Sequence, residues 1–301
     1  MIKIAFSPIY KYELPEGHRF PMLKYELLPQ QLLREGTVSQ ENFFKPIALS
    51  DDQILLTHTK IYLDKLKSLN LTRKEERATG FPVRSDLIYR GRHISFGTYQ
   101  CAKFAIQHRS VSLNIAGGTH HAYADRGEGF CIFNDFAIAA NLLLESGVVN
   151  KILIIDLDVH QGNGTAKIFE ENDCVFTFSM HGAKNYPLRK EKSDLDIGLQ
   201  DGTKDEEYLK ILLKTLPELI NSVKPSLIFY LAGVDVLEVD KLGRLSMTLD
   251  GCKERDRIVF QAAKDYNIPI AVSMGGGYAP KISDIIEAHS NTYRVAFEIF
   301  E

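Results

Sequence analysis

The sequence predicts an α/β protein folded as one domain over residues 1–301, with a mostly parallel central sheet and helices on both of its faces. Short, near-continuously apolar runs rich in β-branched residues recur along the chain, as strands covered on both faces require. Amphipathic stretches of helical length separate these runs, and such alternation is typical of a parallel sheet. The sequence contains no convincing linker, internal repeat or low-complexity stretch that would divide it.

Six apolar runs are predicted to be strands, at residues 2–6, 111–116, 151–157, 174–180, 226–232 and 268–274. The clearest predicted helices cover residues 96–108, 136–147, 205–223 and 251–266. Residues 13–90 differ, because their hydrophobic pattern is short and broken by proline and charge. We expect this region to form short helices and loops that elaborate the same domain near the entrance of its site.

Composition and charge exclude several classes of protein. The formal net charge is −3 and the short basic stretches are interrupted by acids, so we expect no direct binding of nucleic acid. The four cysteines are scattered without a Cys-x-x-Cys pair, which argues against a disulfide framework or a cysteine zinc site. There is no signal-peptide pattern and no run of about 18 apolar residues, which predicts a cytoplasmic protein without a membrane span.

Polar residues and glycines gather where five of the predicted strands end. In open α/β sheets, ligands bind beyond the carboxyl ends of the strands. Because five separate strands bring such residues to this edge, we predict an active site there. The strand ends read Gly117-Gly118-Thr119-His120-His121, Asp156-Leu157-Asp158-Val159-His160, Ser179-Met180-His181, Gly233-Val234-Asp235 and Gly275-Gly276-Gly277-Tyr278.

Three of these residues could hold one metal ion. Asp158 and His160 are two residues apart on a segment that we expect to be extended, so their side chains point the same way. Asp235, at another strand end, is a plausible third ligand. A catalytic zinc typically has three protein ligands and an open position, where it lowers the pKa of water and polarises a carbonyl. The alternative is a strand-end turn that contains a hydrogen-bonded histidine.

The adjacent His120 and His121 are candidates for acid–base catalysis, because imidazoles exchange protons near pH 7. Each histidine needs a partner that fixes its tautomer, and Asp156 and Asn163 are suitable. Tyr278 could donate a hydrogen bond to an oxyanion. Taken alone, Tyr278 is better explained as a residue that packs and caps a turn.

The glycine run at residues 275–277 has a rival interpretation as a phosphate-binding loop. Neither a Gly-x-Gly-x-x-Gly pattern nor a Walker pattern accompanies it, which disfavours a phosphate site.

Four motifs together resemble the metal-dependent histone deacetylase family, in order from about residue 96 to residue 288. Two further segments, Lys192-Ser193-Asp194-Leu195-Asp196 with Asp201-Gly202-Thr203, and His18-Arg19-Phe20-Pro21, resemble the class IV branch and its bacterial relatives. The four motifs are Gly117-Gly118-Thr119-His120-His121-Ala122, Gly129-Phe130-Cys131-Ile132-Phe133-Asn134-Asp135, Asp156-Leu157-Asp158-Val159-His160-Gln161-Gly162-Asn163-Gly164-Thr165 and Gly275-Gly276-Gly277-Tyr278.

The resemblance implies an arginase/deacetylase-like fold and a role for each matching residue. It implies that zinc, or alternatively ferrous iron, is bound by Asp158, His160 and Asp235. His120 and His121 would then serve as general base and general acid, with Tyr278 polarising the acyl carbonyl and Asp156 supporting His120. Asn163 stands where class I members carry aspartate, so the partner of His121 is neutral. The matching tunnel and rim residues are Gly129, Phe130, Tyr186 and Leu242.

The family also carries a monovalent cation, potassium or sodium, near its site. The matching positions are Asp156, Asp158, His160, Ser179 and Met180, with a second, less secure site at Phe169, Asn172 and Val175. A binuclear manganese hydrolase of the arginase kind is disfavoured, because Asp235-Val236-Leu237 lacks the second aspartate that such a centre needs, and Asn163 stands where another aspartate would be.

We therefore expect a zinc-dependent hydrolase that removes acetyl or longer acyl groups from lysine side chains of a peptide or protein. One alternative is a deacetylase of small acylated amines such as acetylpolyamines, which would need an acidic entrance. The rim residues Glu238, Asp240 and Lys241 carry charges of both signs, so they do not decide between the two substrate classes. Another is a non-catalytic protein that binds acyl-lysine. The class IV resemblance also raises a preference for long fatty acyl chains, with the site glycines leaving room for them.

Overall fold

The computed structural model describes residues 2–301 and contains one sheet of eight strands, in which every neighbouring pair is parallel. The strands run in the order β2-β1-β3-β8-β7-β4-β5-β6. Their bounds are β1 Lys3–Ala5, β2 Phe43–Phe44, β3 Val111–Asn114, β4 Ile152–Asp156, β5 Val175–Gly182, β6 Leu195–Leu199, β7 Leu227–Leu231 and β8 Ile270–Ser273.

Ten α-helices accompany the sheet within residues 2–301. Their bounds are α1 Lys24–Arg34, α2 Asp51–Leu55, α3 Lys60–Lys67, α4 Arg73–Thr79, α5 Ser85–His108, α6 Asp135–Glu145, α7 Asn163–Phe169, α8 Asp205–Val223, α9 Leu249–Asp265 and α10 Ile282–Phe300. None of these helices is both long enough and apolar enough to cross a lipid bilayer.

Alternate residues of β4 show why helices cover both faces of the sheet. Leu153 and Ile155 are buried in one apolar cluster together with residues of α8 and α9. Ile152 and Ile154 are buried in a second cluster together with residues of α6. Successive side chains of a strand point to opposite faces, so a strand that is apolar at every position needs cover on both.

All six predicted strands are present, and two further strands were not predicted. Both lie at the edges of the sheet: β2 has only two residues, and β6 alternates between exposed and less exposed positions. The prediction also missed α10 and placed the start of α5 at residue 96, whereas that helix begins at Ser85. The region 13–90 does contain short helices, and through β2 it also adds an edge strand to the main sheet.

Strand order places the predicted site at the centre of the sheet. The five strands that end in the polar motifs are β3, β8, β7, β4 and β5, and these are consecutive neighbours. Because all of them are parallel, their carboxyl ends lie at one edge. The loops that follow them are therefore brought together.

Candidate active site

Asp158, His160 and Asp235 converge at one buried point beyond β4 and β7. Each offers a ligand atom, and the three atoms lie within 4.8 Å of one another. His160 Nδ1 is 3.0 Å from Asp158 Oδ1 and 3.2 Å from Asp235 Oδ2. The expectation of an extended segment here is wrong, because β4 ends at Asp156. A bend takes its place, in which the backbone NH of His160 donates to Asp158 Oδ1 at 3.0 Å.

The donor set fits a divalent metal ion. Asp235 Oδ2 is buried and accepts no hydrogen bond from any of the residues 2–301. Burial and the neighbouring charge of Asp158 raise the pKa of Asp235 to about 7. Burial opposes a charge on His160, yet the two carboxylates raise the pKa of its imidazole to about 10. The point where the three side chains meet thus favours a positive charge, and two carboxylate oxygens with one imidazole nitrogen suit zinc or ferrous iron.

Backbone NH groups fix the orientation of both carboxylates. Val159 donates to Asp235 Oδ1 at 2.9 Å, and Gly276 donates to Asp158 Oδ2 at 2.9 Å. A Cβ atom at Gly276 would lie 2.1 Å from Asp235 Oδ2, so only glycine allows the chain after β8 to approach this closely. The glycine run therefore packs against the two carboxylates and holds them in place. This is not the arrangement of a phosphate-binding loop, whose backbone NH groups face a phosphate.

The two histidines have different partners. His120 Nδ1 lies 2.7 Å from Asp156 Oδ2, at the last residue of β4. His121 Nδ1 lies 2.6 Å from Asn163 Oδ1, at the first residue of α7. Both imidazoles are buried, and their ring centroids are 4.1 Å apart. Asp156 and Asn163 thus lie within hydrogen-bond distance of the two histidines, and their role in fixing the tautomers stays a prediction.

The pKa values of the two histidines are shifted in opposite directions. Burial disfavours a charged His120, but the charges of Asp156 and Asp158 outweigh burial and raise its pKa. Burial lowers the pKa of His121 well below 6.5, and charges on His120 and His160 add to this effect. Asn163 carries no charge that could compensate. The pair therefore consists of one imidazole that favours the cation and one that favours the neutral form.

The predicted tunnel residues line one cavity of about 420 Å³ that reaches His160, one of the three candidate metal ligands. Tyr278 lies on its wall, half-buried, with its ring centroid 6.5 Å from that of His160. Burial, followed by the charges of Asp235 and Asp158, raises the pKa of the Tyr278 hydroxyl, so this group keeps its proton. The residues lining the cavity are Arg19, Arg77, Ala78, His121, Glu128, Gly129, Phe130, His160, Tyr186, Leu242 and Tyr278.

The positions proposed for a monovalent cation lie together at the ends of β4 and β5. Asp156 pairs with Ser179 across the two strands, and Met180 follows on β5. All five of these residues are buried. For the second site, the backbone NH of Asn172 donates to Phe169 O at 2.9 Å and that of Val175 donates to Asn172 O at 3.1 Å, within the connection from α7 to β5. Binding of potassium or sodium at either place stays a prediction.

Comparison with known proteins places this chain in a family. The model of the histone deacetylase domain matches residues 18–293. The chain belongs to the histone deacetylase family. Histone deacetylase 2 of Arabidopsis thaliana is 32% identical, over 95% of this chain and 78% of its own length. An uncharacterized protein of Picosynechococcus is 41% identical over 99% of both chains. These findings confirm the predicted family and identify the chain as a hydrolase of that family.

Solved structures confirm the arginase/deacetylase-like fold of this histone deacetylase-family chain. The crystal structure of an HDAC homolog complexed with SAHA superposes with a TM-score of 0.85, at 23% identity, over 99% of this chain and 84% of that one. The structure of an HDAC homolog from Aquifex aeolicus gives a TM-score of 0.83 at 23% identity, over 97% of this chain and 82% of that one.

Lys24 is a residue of this histone deacetylase-family site that the sequence interpretation missed. It is fully buried, and its Nζ donates to the carbonyl oxygen of Gly275 at 3.0 Å. Burial lowers its pKa to about 8. A signal was available, because Lys24, Leu28 and Leu32 follow the helical period on the buried face of α1. A charged lysine in such a position is unusual and marks the residue for attention.

Glu128 was also missed. Its Oε1 accepts a hydrogen bond from Asn163 Nδ2 at 3.2 Å and another from the hydroxyl of Tyr186. It therefore links the partner of His121 to the wall of the tunnel. Its only sequence signal was its place directly before Gly129.

A buried ion pair supports the ends of β4 and β7, the two strands that precede the candidate metal ligands. Arg255 pairs with Asp256 at 2.8 Å, and both side chains are fully buried. Arg255 Nη1 also donates to Gly233 O at 2.5 Å and to Leu157 O at 3.3 Å. These carbonyls follow β7 and β4, so Arg255 ties the two strand ends together. Nothing in the local sequence around residue 255 pointed to this role.

Asp240 supports a loop at the rim of the cavity. It accepts backbone hydrogen bonds from Leu242 at 2.8 Å, Gly243 at 2.9 Å and Tyr278 at 2.6 Å. The carboxylate is thus occupied in holding Leu242 and Tyr278 at the cavity.

Proposed function

We propose that this protein is a zinc-dependent deacetylase of acetylated lysine side chains. The observation that supports this most strongly is the meeting of Asp158, His160 and Asp235 at a buried point beside His121 and Tyr278, at the end of a cavity open to solvent. A zinc ion held by these three residues would supply Lewis acidity toward an amide carbonyl and toward water. Ferrous iron is the alternative metal.

His121 is the candidate general base. Its pKa is lowered, so it is neutral near pH 7, and its Nδ1 is engaged with Asn163. The remaining nitrogen, Nε2, is therefore free to accept a proton from the attacking water. The opposite pKa shift of His120 makes its imidazolium the candidate acid for the leaving amine. The family resemblance implied His120 as the base and His121 as the acid, and this proposal exchanges the two roles.

Tyr278 is the candidate oxyanion donor. Its hydroxyl stays protonated and lies on the wall of the cavity that reaches His160. In the reaction, the amide C–N bond breaks, a water oxygen joins the acyl carbon, and the nitrogen gains a proton. The products are a carboxylate and a primary amine. A hydroxyl that donates only once charge develops on the carbonyl oxygen favours the transition state over the substrate.

The space beside the candidate ligands supports acetyl as the acyl group. Asp158 and His160 line a cavity of about 40 Å³, together with Gly117, Gly118, Gly275, His120 and Tyr278 among others. Since roughly 10–15 Å³ of such volume accommodates one water, this cavity holds on the order of three. The glycines do not leave room for a long chain, because a Cβ atom at Gly118 would lie 2.9 Å from the Cα of Gly275. We therefore propose a deacetylase, not an enzyme for long fatty acyl groups.

Turnover of an acetyl-lysine peptide by the zinc-loaded protein tests this function. We expect equimolar release of acetate and free lysine side chain, loss of activity after chelation and recovery on adding zinc. Peptide binding without turnover by the metal-loaded protein would favour the non-catalytic acyl-lysine binder. Turnover confined to small acetylated amines would favour the deacetylase of small acylated amines.

We also propose a reducing, cytoplasmic setting. Cys101, Cys131, Cys174 and Cys252 are all free, and all except Cys174 are buried. Stable disulfides are typical of oxidising compartments. The assignment to the class IV branch rests on the two sequence segments that resemble it.

A further inference from the structure

A surface groove of about 710 Å³ leads into the tunnel. It is lined mainly by residues 11–23 and 278–285, together with Lys241 and Leu242. Arg19, Leu242 and Tyr278 line both the groove and the tunnel cavity, so the two spaces are continuous. A peptide that places an acyl-lysine in the tunnel would have its neighbouring residues in or near this groove.

Three exposed cations surround the junction. Arg19 and Arg77 line the tunnel cavity, and Lys241 lines the groove. Within residues 2–301, none of the three forms an ion pair, whereas Lys11, the other lysine that lines the groove, pairs with Glu26. The guanidinium of Arg19 lies 4.9 Å from the ring centroid of Phe130, on the tunnel wall.

The acidic side chains of the groove and tunnel do not balance these cations. Glu128 is already engaged by Asn163, by Tyr186 and by Arg126, whose Nε lies 3.6 Å from its Oε2. Glu13 is the other acidic residue that lines either space. Glu238, which the sequence placed at the rim, lines neither cavity. Among the exposed side chains that line the entrance, the positive charges of Arg19, Arg77 and Lys241 therefore outnumber the negative ones.

Resting on the deacetylase function proposed above, we infer that the entrance selects acetyl-lysine peptides with acidic residues beside the acetyl-lysine, and disfavours acetylated polyamines. Carboxylates within a Debye length of Arg19, Arg77 and Lys241 are attracted to the mouth, which raises the rate of productive encounter. A polyamine would bring its ammonium groups toward the same cations, and such repulsion is an effective basis of specificity.

Three peptides of equal length test the inference, with acetyl-lysine flanked by glutamate, by glycine or by lysine, together with acetylspermidine. We expect kcat/KM to fall in the order glutamate, glycine, lysine, with about a tenfold span at low salt that shrinks at about 300 mM salt. Acetylspermidine should be the poorest substrate. Equal kcat/KM values for the three peptides, or the reverse order, would overturn the selectivity while leaving the deacetylase function intact. No turnover of any substrate would overturn both.

A pair of double variants locates the effect. Arg77→Gln with Lys241→Gln removes two charges at the mouth, whereas Lys210→Gln with Lys214→Gln removes two exposed, unpaired charges from α8, away from both cavities. The first should lower the glutamate-to-lysine ratio of kcat/KM by about threefold or more, mostly through KM. The second should keep the wild-type ratio. Equal changes in both variants would show that overall charge, not the entrance, sets the preference.

Discussion

Asn163 Oδ1 lies 2.6 Å from Nδ1 of His121, whereas the equivalent partner of the neighbouring His120 is a carboxylate, Asp156 Oδ2, at 2.7 Å from its Nδ1. A neutral amide and a carboxylate thus stand behind two adjacent imidazoles. The difference in charge separates the pKa values of two side chains that share one burial environment. Of these two imidazoles, His120 therefore favours the cation more than His121 does.

Asn163→Asp should shift the pH profile of the enzyme. An added carboxylate favours the imidazolium, so the pKa of His121 should rise. A base acts only when neutral, and a higher pKa keeps it protonated to higher pH; the acidic limb of kcat/KM should therefore move to higher pH. A pH–rate profile from about pH 5 to 9 measures the shift. A profile that superimposes on that of the wild type would show that residue 163 does not tune His121.

Glu128→Gln should weaken catalysis through Asn163 and Tyr186. The variant removes the charge that accepts hydrogen bonds from both side chains. Residues that orient a catalytic group typically contribute about tenfold, so we expect kcat to fall by about that factor with metal content unchanged. Tyr186→Phe is the matched variant, because it breaks only the link to the tunnel wall and should mainly raise KM. Wild-type kinetics in Glu128→Gln would make this network incidental.

Tyr278→Phe should lower kcat by about 100- to 1000-fold while the metal content stays at the wild-type level. The change removes one hydroxyl and little volume, so the cavity wall is preserved. Steady-state kinetics and elemental analysis of the same preparation provide the measurement. An unaltered kcat would reduce Tyr278 to a packing residue.

Asp235→Asn should abolish metal binding without unfolding the protein. In the metal-free wild type, burial and then the charge of Asp158 raise the pKa of Asp235, so an ionised Asp235 destabilises the folded protein. Neutralising one should therefore keep or raise the Tm of the metal-free protein near pH 7. The variant should, however, lose the increase in Tm that zinc gives the wild type. Elemental analysis should find one metal ion per wild-type chain; two manganese ions would contradict the mononuclear site.

The metal-free wild type should also lose stability as pH rises from about 4 to about 7. The pKa of Asp235 in the folded protein is raised to about 7. The folded state therefore binds this proton more tightly than the unfolded state does, and the favourable contribution disappears as the proton is released. Thermal melts of the metal-free protein across this range, with Asp235→Asn as the less pH-sensitive reference, measure the effect. A parallel dependence in both proteins would assign it to other groups.

Acetyl-, octanoyl- and myristoyl-lysine peptides of one sequence test the depth of the site. Each buried CH₂ would contribute about 0.8 kcal/mol if an apolar cavity were open to it. The small cavity beside the candidate ligands does not offer that space. We therefore expect kcat/KM to fall steadily with chain length. A rise would favour the long-chain preference that the class IV resemblance suggested.

The sequence alone determined the class of fold and the side of the sheet that carries the site. Apolar runs such as residues 151–157 must be strands with cover on both faces, and the polar residues that follow them must share one edge of a parallel sheet. Asp158, His160, Asp235, His120 and His121 were found in this way. The edge strands β2 and β6 were missed, because strands with partial cover lack the continuous apolar pattern.

Only the tertiary structure decided which distant side chains meet. Lys24 contacts Gly275 across 251 positions of the chain, and Arg255 joins the carbonyls that follow β4 and β7. The cationic entrance combines Arg19, Arg77 and Lys241 from three separate segments. A local hydrophobic pattern records whether a side chain is buried and on which face of its own element. It carries no information about the partner, which is set by how the elements pack around the sheet.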